Sequence, residues 1–267
     1  MEAVIILVNY KNDQETIKCA ISILSEFNNV DVVIVNNCTI NEKLNIDSSP
    51  NLLVEYTNEN LGYFGGMQFG LEKYILWKGE YPKWIVLSNT DIEITSKDLF
   101  STMNATDDEN IGGIAPKIVS VFTKKNQNPF LLERPSKRYL TARRIMFKNP
   151  IMFCCFNILR KVKIKLEKTV ESQNEMDIYA PHGSFMIINK RYFESGGDIK
   201  FNSFLFGEEI FLGENMRRMN LKVRFRSDIE ILHKEHVTTS LIKKSKKREY
   251  HYNSIVYLLD FLYGKKI

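Results

Sequence analysis

Apolar residues gather in short unbroken runs through the first hundred positions of this chain, and between the runs they recur at helical spacing. Val4 to Val8, Val30 to Val35, Leu52 to Tyr56 and Trp84 to Ser88 have the length and apolarity of buried strands. Asn12 with Glu15 three positions on has the spacing of an N-cap and its capping-box partner. Ile17, Ala20, Ile21 and Leu24 then predict one helix face. A second helix, with Met67, Leu71, Tyr74 and Ile75 on one side, follows a glycine-rich turn. Alternation of this kind predicts an α/β fold with a mostly parallel sheet covered by helices.

The second half is less regular. Ile111 to Val119 predicts a strand, and from Ser120 to Ile178 the pattern loosens around Pro129, Pro135 and Pro150. Ser184 to Asn189 reads as a strand, and Glu209 to Met219 as a helix. Val223 to Phe225 and Ile229 to Leu232 read as two short strands, and Tyr250 to Tyr263 as an amphipathic helix. No repeat, low-complexity segment or clear linker interrupts the chain. A single domain is expected over 1–267, with 1–119 as one half and 120–267 as the other.

At 267 residues the chain can bury one large α/β core. Its net charge of +5 is modest but unevenly spread. Lys161, Lys163, Lys165 and Lys168 form one basic cluster; Lys243, Lys244, Lys246, Lys247 and Arg248 form another. Such clusters suit anionic partners, or equally the solvated face of a helix. The four cysteines, Cys19, Cys38, Cys154 and Cys155, lack metal-site spacing and fit a reduced, cytoplasmic setting. The amino terminus reads as a first strand and not as a signal peptide, and no run is long enough to span a bilayer.

Polar residues close several of the apolar runs. Asn89-Thr90-Asp91 directly follows the Trp84 run, which places Asp91 at the carboxyl edge of a sheet, where open α/β folds bind ligands. Its hard oxygen ligands suit Mg²⁺ or Mn²⁺ carried in with a diphosphate, though a helix cap would explain it as well. Between Asn60 and Gly70 glycines stand at 62, 65, 66 and 70, where backbone N–H groups can approach an anion at a helix start. The spacing is neither a dinucleotide fingerprint nor a P-loop. Glu208 and Glu209 open a helix, where the dipole favours acids in any case. His233 ends an apolar strand, a position where a structural histidine is common.

The order and spacing of these motifs resemble the family 2 glycosyltransferases of the GT-A fold, in particular bacterial enzymes of capsule, O-antigen and exopolysaccharide assembly. The resemblance rests on Val8-Asn9-Tyr10, Val33-Ile34-Val35-Asn36-Asn37, the glycine segment from Asn60, Leu87-Ser88-Asn89-Thr90-Asp91, His182-Gly183-Ser184-Phe185, Phe206-Gly207-Glu208-Glu209, and His233 with Thr238-Thr239-Ser240. It implies a GT-A nucleotide-binding sheet, with donor binding by the first half and acceptor binding by the second. Val8, Tyr10 and Asn36 would meet the nucleobase and ribose; Asn60, Gly62, Gly66 and Asn89 would face the rest of the donor. Asp91 stands at the metal-binding acid of the family, and His233 matches the late histidine that completes the metal site. Glu209 matches the catalytic base. His182, Gly183 and Glu208 would line the sugar and acceptor pocket.

The resemblance therefore implies inverting, metal-dependent transfer from a nucleoside-diphosphate sugar, UDP or dTDP, to a saccharide acceptor that is lipid-linked. It implies a cytoplasmic protein peripheral on the membrane. The basic, apolar stretch from Arg143 to Lys168 and the carboxyl-terminal basic cluster with Ile255, Val256, Leu258, Leu259 and Leu262 are candidates for an anionic membrane surface. Two positions depart from the pattern: Asn36 and Asn89 both stand where the family carries Asp. An amide donates as well as accepts, so the base is left open, and one charged ligand fewer weakens the metal motif. A degenerate, non-catalytic partner subunit is the alternative these departures allow. A sugar-nucleotide pyrophosphorylase would need a glycine-rich basic signature after the first strand, which Val8 to Asp13 lacks. No nucleic-acid module is recognisable, and no nucleic-acid partner is expected.

Overall fold

The structure is a computed structural model that describes residues 2–38, 43–106, 108–154, 174–235 and 242–264. Three groups of predicted features lie outside those residues: the basic cluster Lys161 to Lys168, the pair Cys155 and Phe156, and the stretch His236 to Ser240.

Among the described residues nine strands form one sheet: β1 Ala3–Asn9, β2 Val30–Asn36, β3 Leu52–Tyr56, β4 Trp84–Ser88, β5 Ile92–Ile94, β6 Ile111–Ser120, β7 Glu175–Ile178, β8 Phe185–Asn189 and β9 Lys222–His233. The order is β3-β2-β1-β4-β8-β6-β9-β5, with β7 also paired to β9. From β3 to β4 the sheet is parallel; β8 then runs antiparallel between β4 and β6, and β6 and β9 are parallel again. The helices are α1 Asp13–Glu26, α2 Gly62–Lys78, α3 Leu99–Ala105, α4 Lys137–Lys148, α5 Lys190–Glu194, α6 Glu208–Arg218 and α7 Lys244–Tyr263.

The apolar runs are continuous because both faces of the sheet are covered. In β1, Val4 and Ile6 enter a layer with Met67, Leu71 and Tyr74 of α2, while Ala3, Ile5 and Leu7 enter the opposite layer with Ala20 and Ile23 of α1. That is the period-two alternation of a strand. Each valine, leucine, isoleucine or methionine among them, fully buried, contributes about 1.5–3 kcal/mol.

Three local expectations are corrected. No side-chain cap forms at Asn12; instead the Asn9 side-chain oxygen accepts from Asn12 N at 3.1 Å and Thr16 Oγ1 at 3.0 Å, tying the start of α1 to the end of β1. α1 buries Thr16, Cys19, Ala20 and Ile23, and Ile21 is 54% exposed, so the buried stripe is rotated from the one predicted. Residues 222–233 form one strand and not two. The polar interruption Arg226-Ser227-Asp228 falls at an irregularity in its pairing with β6, between Pro116 and Lys117. Val223 and Phe225 before it enter one core layer, Ile229 and Ile231 after it the other, as an odd number of extra residues dictates, here three, since Arg226 pairs with Pro116 and Glu230 with Lys117.

The carboxyl-terminal helix begins earlier than its apolar pattern, so Lys244, Lys246, Lys247 and Arg248 form its opening turns. Its apolar side, Ile255, Leu258 and Leu262, packs into the core. Among the described residues no helix is long and apolar enough to cross a membrane.

Candidate functional site

The carboxyl ends of β1, β2, β3, β4, β6 and β9 lie along one edge of the sheet, and the polar residues Asn37, Thr57, Asn89 and Lys234 follow β2, β3, β4 and β9. β8 runs the other way, so its start meets the same edge: Phe185 pairs with Ser88, and Asn89 N donates to Ser184 O at 2.8 Å. The predicted motifs from both halves of the chain thus come together.

On the β1–β2 side the edge is locked by amides. Asn37, 1% exposed, donates from Nδ2 to Asn60 Oδ1 (3.1 Å) and to Gly62 O (2.9 Å). Its Oδ1 accepts from Leu61 N (2.9 Å), and Thr57 Oγ1, whose nearest acceptor is Glu59 O at 2.7 Å, lies 3.2 Å from it. Three hydrogen bonds from one amide, two given and one accepted, fix the turn into α2. Gly62 there has φ +75°, and a Cβ would run into Phe204 O. Three residues expected at the donor are turned inward, the first being Gly62, whose N–H donates to Asn60 Oδ1 and whose carbonyl accepts from Asn37 Nδ2. Asn36 is 4% exposed, with Oδ1 accepting from Asn9 Nδ2 at 3.0 Å. Gly66 lies against β1, where a Cβ would sit 2.9 Å from Val8 Cγ2. Val8, Tyr10 and Asn60 remain partly accessible at the edge.

Asp91 and His233 are neighbours. Their backbones are fixed by the β5–β9 pairing, in which Ile92 stands opposite His233 and Lys234 N donates to Asp91 O at 2.8 Å. The side chains meet with Asp91 Oδ1 3.4 Å from His233 Nε2, and Asn89 Nδ2 is 3.5 Å from the same nitrogen. His233 Nδ1 is 2.8 Å from Gln127 Oε1, an acceptor, so Nδ1 donates there and Nε2 is the nitrogen that faces Asp91. A carboxylate oxygen and an imidazole nitrogen at this distance can share a proton or a cation. One oxygen and one imidazole donor are compatible with a divalent ion that takes its other ligands from a diphosphate. Among the described residues no group of three or more His, Cys, Asp and Glu could hold a metal by itself.

Beside this pair lies the Gly183 peptide. Its carbonyl accepts from Tyr63 Oη at 2.8 Å, and a Cβ on Gly183 would sit 2.8 Å from Glu209 Oε1. Burial raises the Glu209 carboxyl above its ordinary range, against backbone N–H groups of its own residue, Gly207 and Gly183. Glu208 is 5% exposed; burial first, and Glu209 second, push it up to about 8. Its Oε1 accepts from Phe206 N at 3.0 Å, which turns it toward the preceding loop. That loop is sharply bent, with φ 71° at Phe206 and 99° at Gly207, and a Cβ at 207 would sit 2.7 Å from Leu258 Cδ1 of α7. Burial, then the acids Glu208, Glu209 and Asp91, raise the Tyr63 hydroxyl well above its ordinary value. His182 is pushed down to about 4, by burial first and by His233 second, and its ring lies 5.9 Å from that of His233.

The arrangement offers a cation position, a carboxyl group able to take a proton, and polar backbone around both. Reading the sequence missed Tyr63, Gln127 and Asn128 as parts of it. Asn128 Oδ1 accepts from His182 N at 2.8 Å. Nothing in their local pattern separates these residues from ordinary loop and helix positions; only the fold places them here.

Residues 4–166 match the family described as glycosyl transferase family 2. Over 243 residues the chain is 23% identical to the low-salt glycan biosynthesis hexosyltransferase Agl10 of Haloferax volcanii, covering 90% of this chain and 70% of that one. Among solved structures it resembles Staphylococcus aureus TarS 1–349 in complex with UDP-GlcNAc, with a TM-score of 0.57 at 15% identity, covering 98% of this chain and 66% of that one. It also resembles GalNAc-T7 with UDP, GalNAc and Mn²⁺, with a TM-score of 0.55 at 11% identity, covering 87% of this chain but only 44% of that one. The chain therefore spans less than half the length of GalNAc-T7. At these identities the structural likeness shows the fold, which is the GT-A arrangement of a central mixed sheet flanked by helices.

Proposed function

The chain belongs to glycosyl transferase family 2, and on that premise we propose that it transfers a sugar, with inversion, from a nucleoside-diphosphate sugar to the hydroxyl of a saccharide acceptor. The observation that carries this reading is the meeting of Asp91 with His233 at 3.4 Å beside the Gly183 peptide that Glu209 adjoins. Val8, Tyr10, Asn60 and Asn89 line the donor side, with Asn36, Gly62 and Gly66 shaping it from behind. The donor is a UDP or dTDP sugar, a choice consistent with the UDP and UDP-GlcNAc in the two solved relatives.

Asp91 and His233 would hold a divalent ion, Mg²⁺ or Mn²⁺. When bound, that ion supplies positive charge against the leaving diphosphate. Glu209 takes the proton of the acceptor hydroxyl as its oxygen bonds to the anomeric carbon. The bond from that carbon to the diphosphate oxygen breaks on the opposite face, and the nucleoside diphosphate leaves with the electron pair. A carboxyl raised by burial is suited to that proton transfer, since its basicity lies nearer working pH. His182, Gly183 and Glu208 border the sugar and acceptor.

The acceptor in this reading is a lipid-linked saccharide at the cytoplasmic face of an anionic membrane, in surface-polysaccharide assembly of the capsule or O-antigen kind. Motif resemblance supports the setting. The exposed face of α4 supports the membrane: Lys137, Arg138, Arg144 and Lys148 lie there with Ile145, and exposed Ile151 and Met152 follow.

A thermal-shift series with UDP, dTDP, GDP and CDP, each with and without Mn²⁺, tests the core of the proposal. A ligand that binds only the folded state raises the midpoint by mass action. A metal-dependent shift with one nucleotide, lost in Asp91→Ala, is the expected result. If no nucleotide shifts the protein with Mn²⁺ present, the catalytic reading fails and a non-catalytic partner subunit takes its place.

A further inference from the structure

The hairpin that follows β6 carries three consecutive amides, Asn126, Gln127 and Asn128, none of which belongs to the motifs described above. Asn126 holds the hairpin itself: its Oδ1 accepts from Ile118 N at 3.1 Å and from Asn128 N at 3.0 Å. Asn128, 2% exposed, donates to Pro116 O at 2.8 Å while its oxygen holds the backbone of His182. Gln127 lies between them and reaches the other histidine. One short turn therefore touches both histidines of the edge, His182 at its backbone and His233 at its ring.

The orientation of the Gln127 amide is set from outside. Its Nε2 donates to Glu235 Oε1 at 2.7 Å. A carboxyl group in its charged form only accepts, so the nitrogen faces Glu235 and the oxygen is left for His233 Nδ1. An imidazole beside a fixed acceptor keeps its proton on that side. The opposite nitrogen, Nε2, is then the ligating one, and it is the one that faces Asp91 and Asn89. Hydrogen bonds of this outer kind fix the tautomer and the ring plane of metal-binding histidines.

We propose that Gln127 is a positioning residue of the candidate metal site. Held by Glu235, it keeps His233 in the Nδ1–H tautomer and presents Nε2 to the cation. The consequence for metal binding rests on the role proposed above for His233; the tautomer does not depend on it.

The tautomer can be read directly from imidazole ¹⁵N resonances of the metal-free protein at mildly alkaline pH, with the His233 signals identified by their absence in His233→Ala. The wild type is expected to show Nδ1–H, and Gln127→Leu to lose that preference. The exchanged pair Gln127→Glu with Glu235→Gln restores an acceptor facing His233 and is expected to restore the tautomer; it also serves if the leucine variant folds poorly. Binding of Mn²⁺ in the presence of UDP, followed by electron paramagnetic resonance, should weaken about ten- to a hundredfold in Gln127→Leu and recover in the exchanged pair. An Nε2–H tautomer in the wild type, or one unmoved by Gln127→Leu, overturns the proposal. The metal reading fails separately: wild-type Mn²⁺ affinity in His233→Ala would remove it, and with it the purpose of Gln127, whatever the tautomer.

Discussion

Asp91 meets His233 because the backbone leaves them no other place. The carboxylate precedes β5, the imidazole ends β9, and the pairing of Ile92 with His233 sets the two side chains 3.4 Å apart. The contact joins two motifs that lie far apart in the chain, and it depends on a strand of only three residues, Ile92–Ile94.

If one ion bridges the two groups, their effects on binding are coupled. Asp91→Ala and His233→Ala should each weaken Mn²⁺-dependent UDP binding by at least tenfold. The double variant should lose much less than the product, because the second substitution removes a ligand from a site already broken. Calorimetric titration of the four proteins checks this. Fully multiplicative losses would mean the residues act apart.

Glu209 and Glu208 should separate kinetically. Glu209→Gln is expected to lower turnover about 10²–10⁴-fold, the usual worth of a general base, while UDP still binds. Glu208→Gln keeps a group able to accept from Phe206 N and should cost far less turnover. Initial rates at saturating donor distinguish them, and the reverse ranking would move the base to Glu208.

The buried acid also predicts how stability varies with pH. Glu208 in the folded protein is raised to about 8, well above the range of about 4.3 for an exposed glutamate. Its contribution is therefore fully present below the unfolded value and is lost as pH rises through about 8. Melting temperature should fall between about pH 5 and 8, and Glu208→Gln should flatten that fall. His182 acts at the other end. Lowered to about 4, it stays neutral while the unfolded chain takes up a proton, so stability declines as pH drops from about 6.5. Identical slopes in wild type and Glu208→Gln would show that the acid is not held neutral.

For the membrane, the informative surface is α4 and not the apolar side of α7. Ile255, Leu258 and Leu262 are buried, whereas Ile145 and Ile151 are 53% and 75% exposed among bases. The protein is expected to float with vesicles rich in phosphatidylserine at low salt and to leave them as salt rises. Arg144→Glu with Lys148→Glu should abolish flotation without changing the melting temperature much. Equal binding to neutral vesicles, or none to acidic ones, counts against this surface.

Much of this architecture was legible because buried strands write themselves plainly. Val4 to Val8, Val30 to Val35 and Trp84 to Ser88 are apolar on both faces, and each is a strand. β5 was not legible, since three residues carry no period, and neither was the continuity of β9, whose Arg226-Ser227-Asp228 interruption resembles a loop. α1 was placed correctly but rotated, because Ile21 is as apolar as its buried neighbours and only packing leaves it outside. In the site, acids and histidines could be found as polar ends to apolar runs. Tyr63 and Gln127 could not, since what makes them part of the site is whom they touch: Gly183 O and His233 Nδ1.

The buried amide of Asn37 does more than close a turn. With both of its hydrogens spent inside the protein, its oxygen held by Leu61 N and its side chain 1% exposed, it is turned away from any ligand. What it does instead is remove freedom. The turn from Thr57 to Gly62 is ordered before any nucleotide arrives, so little entropy need be surrendered there on binding. Selection among donors on this side then comes down to shape, and a nucleotide that does not fit cannot be accommodated by a wall that yields.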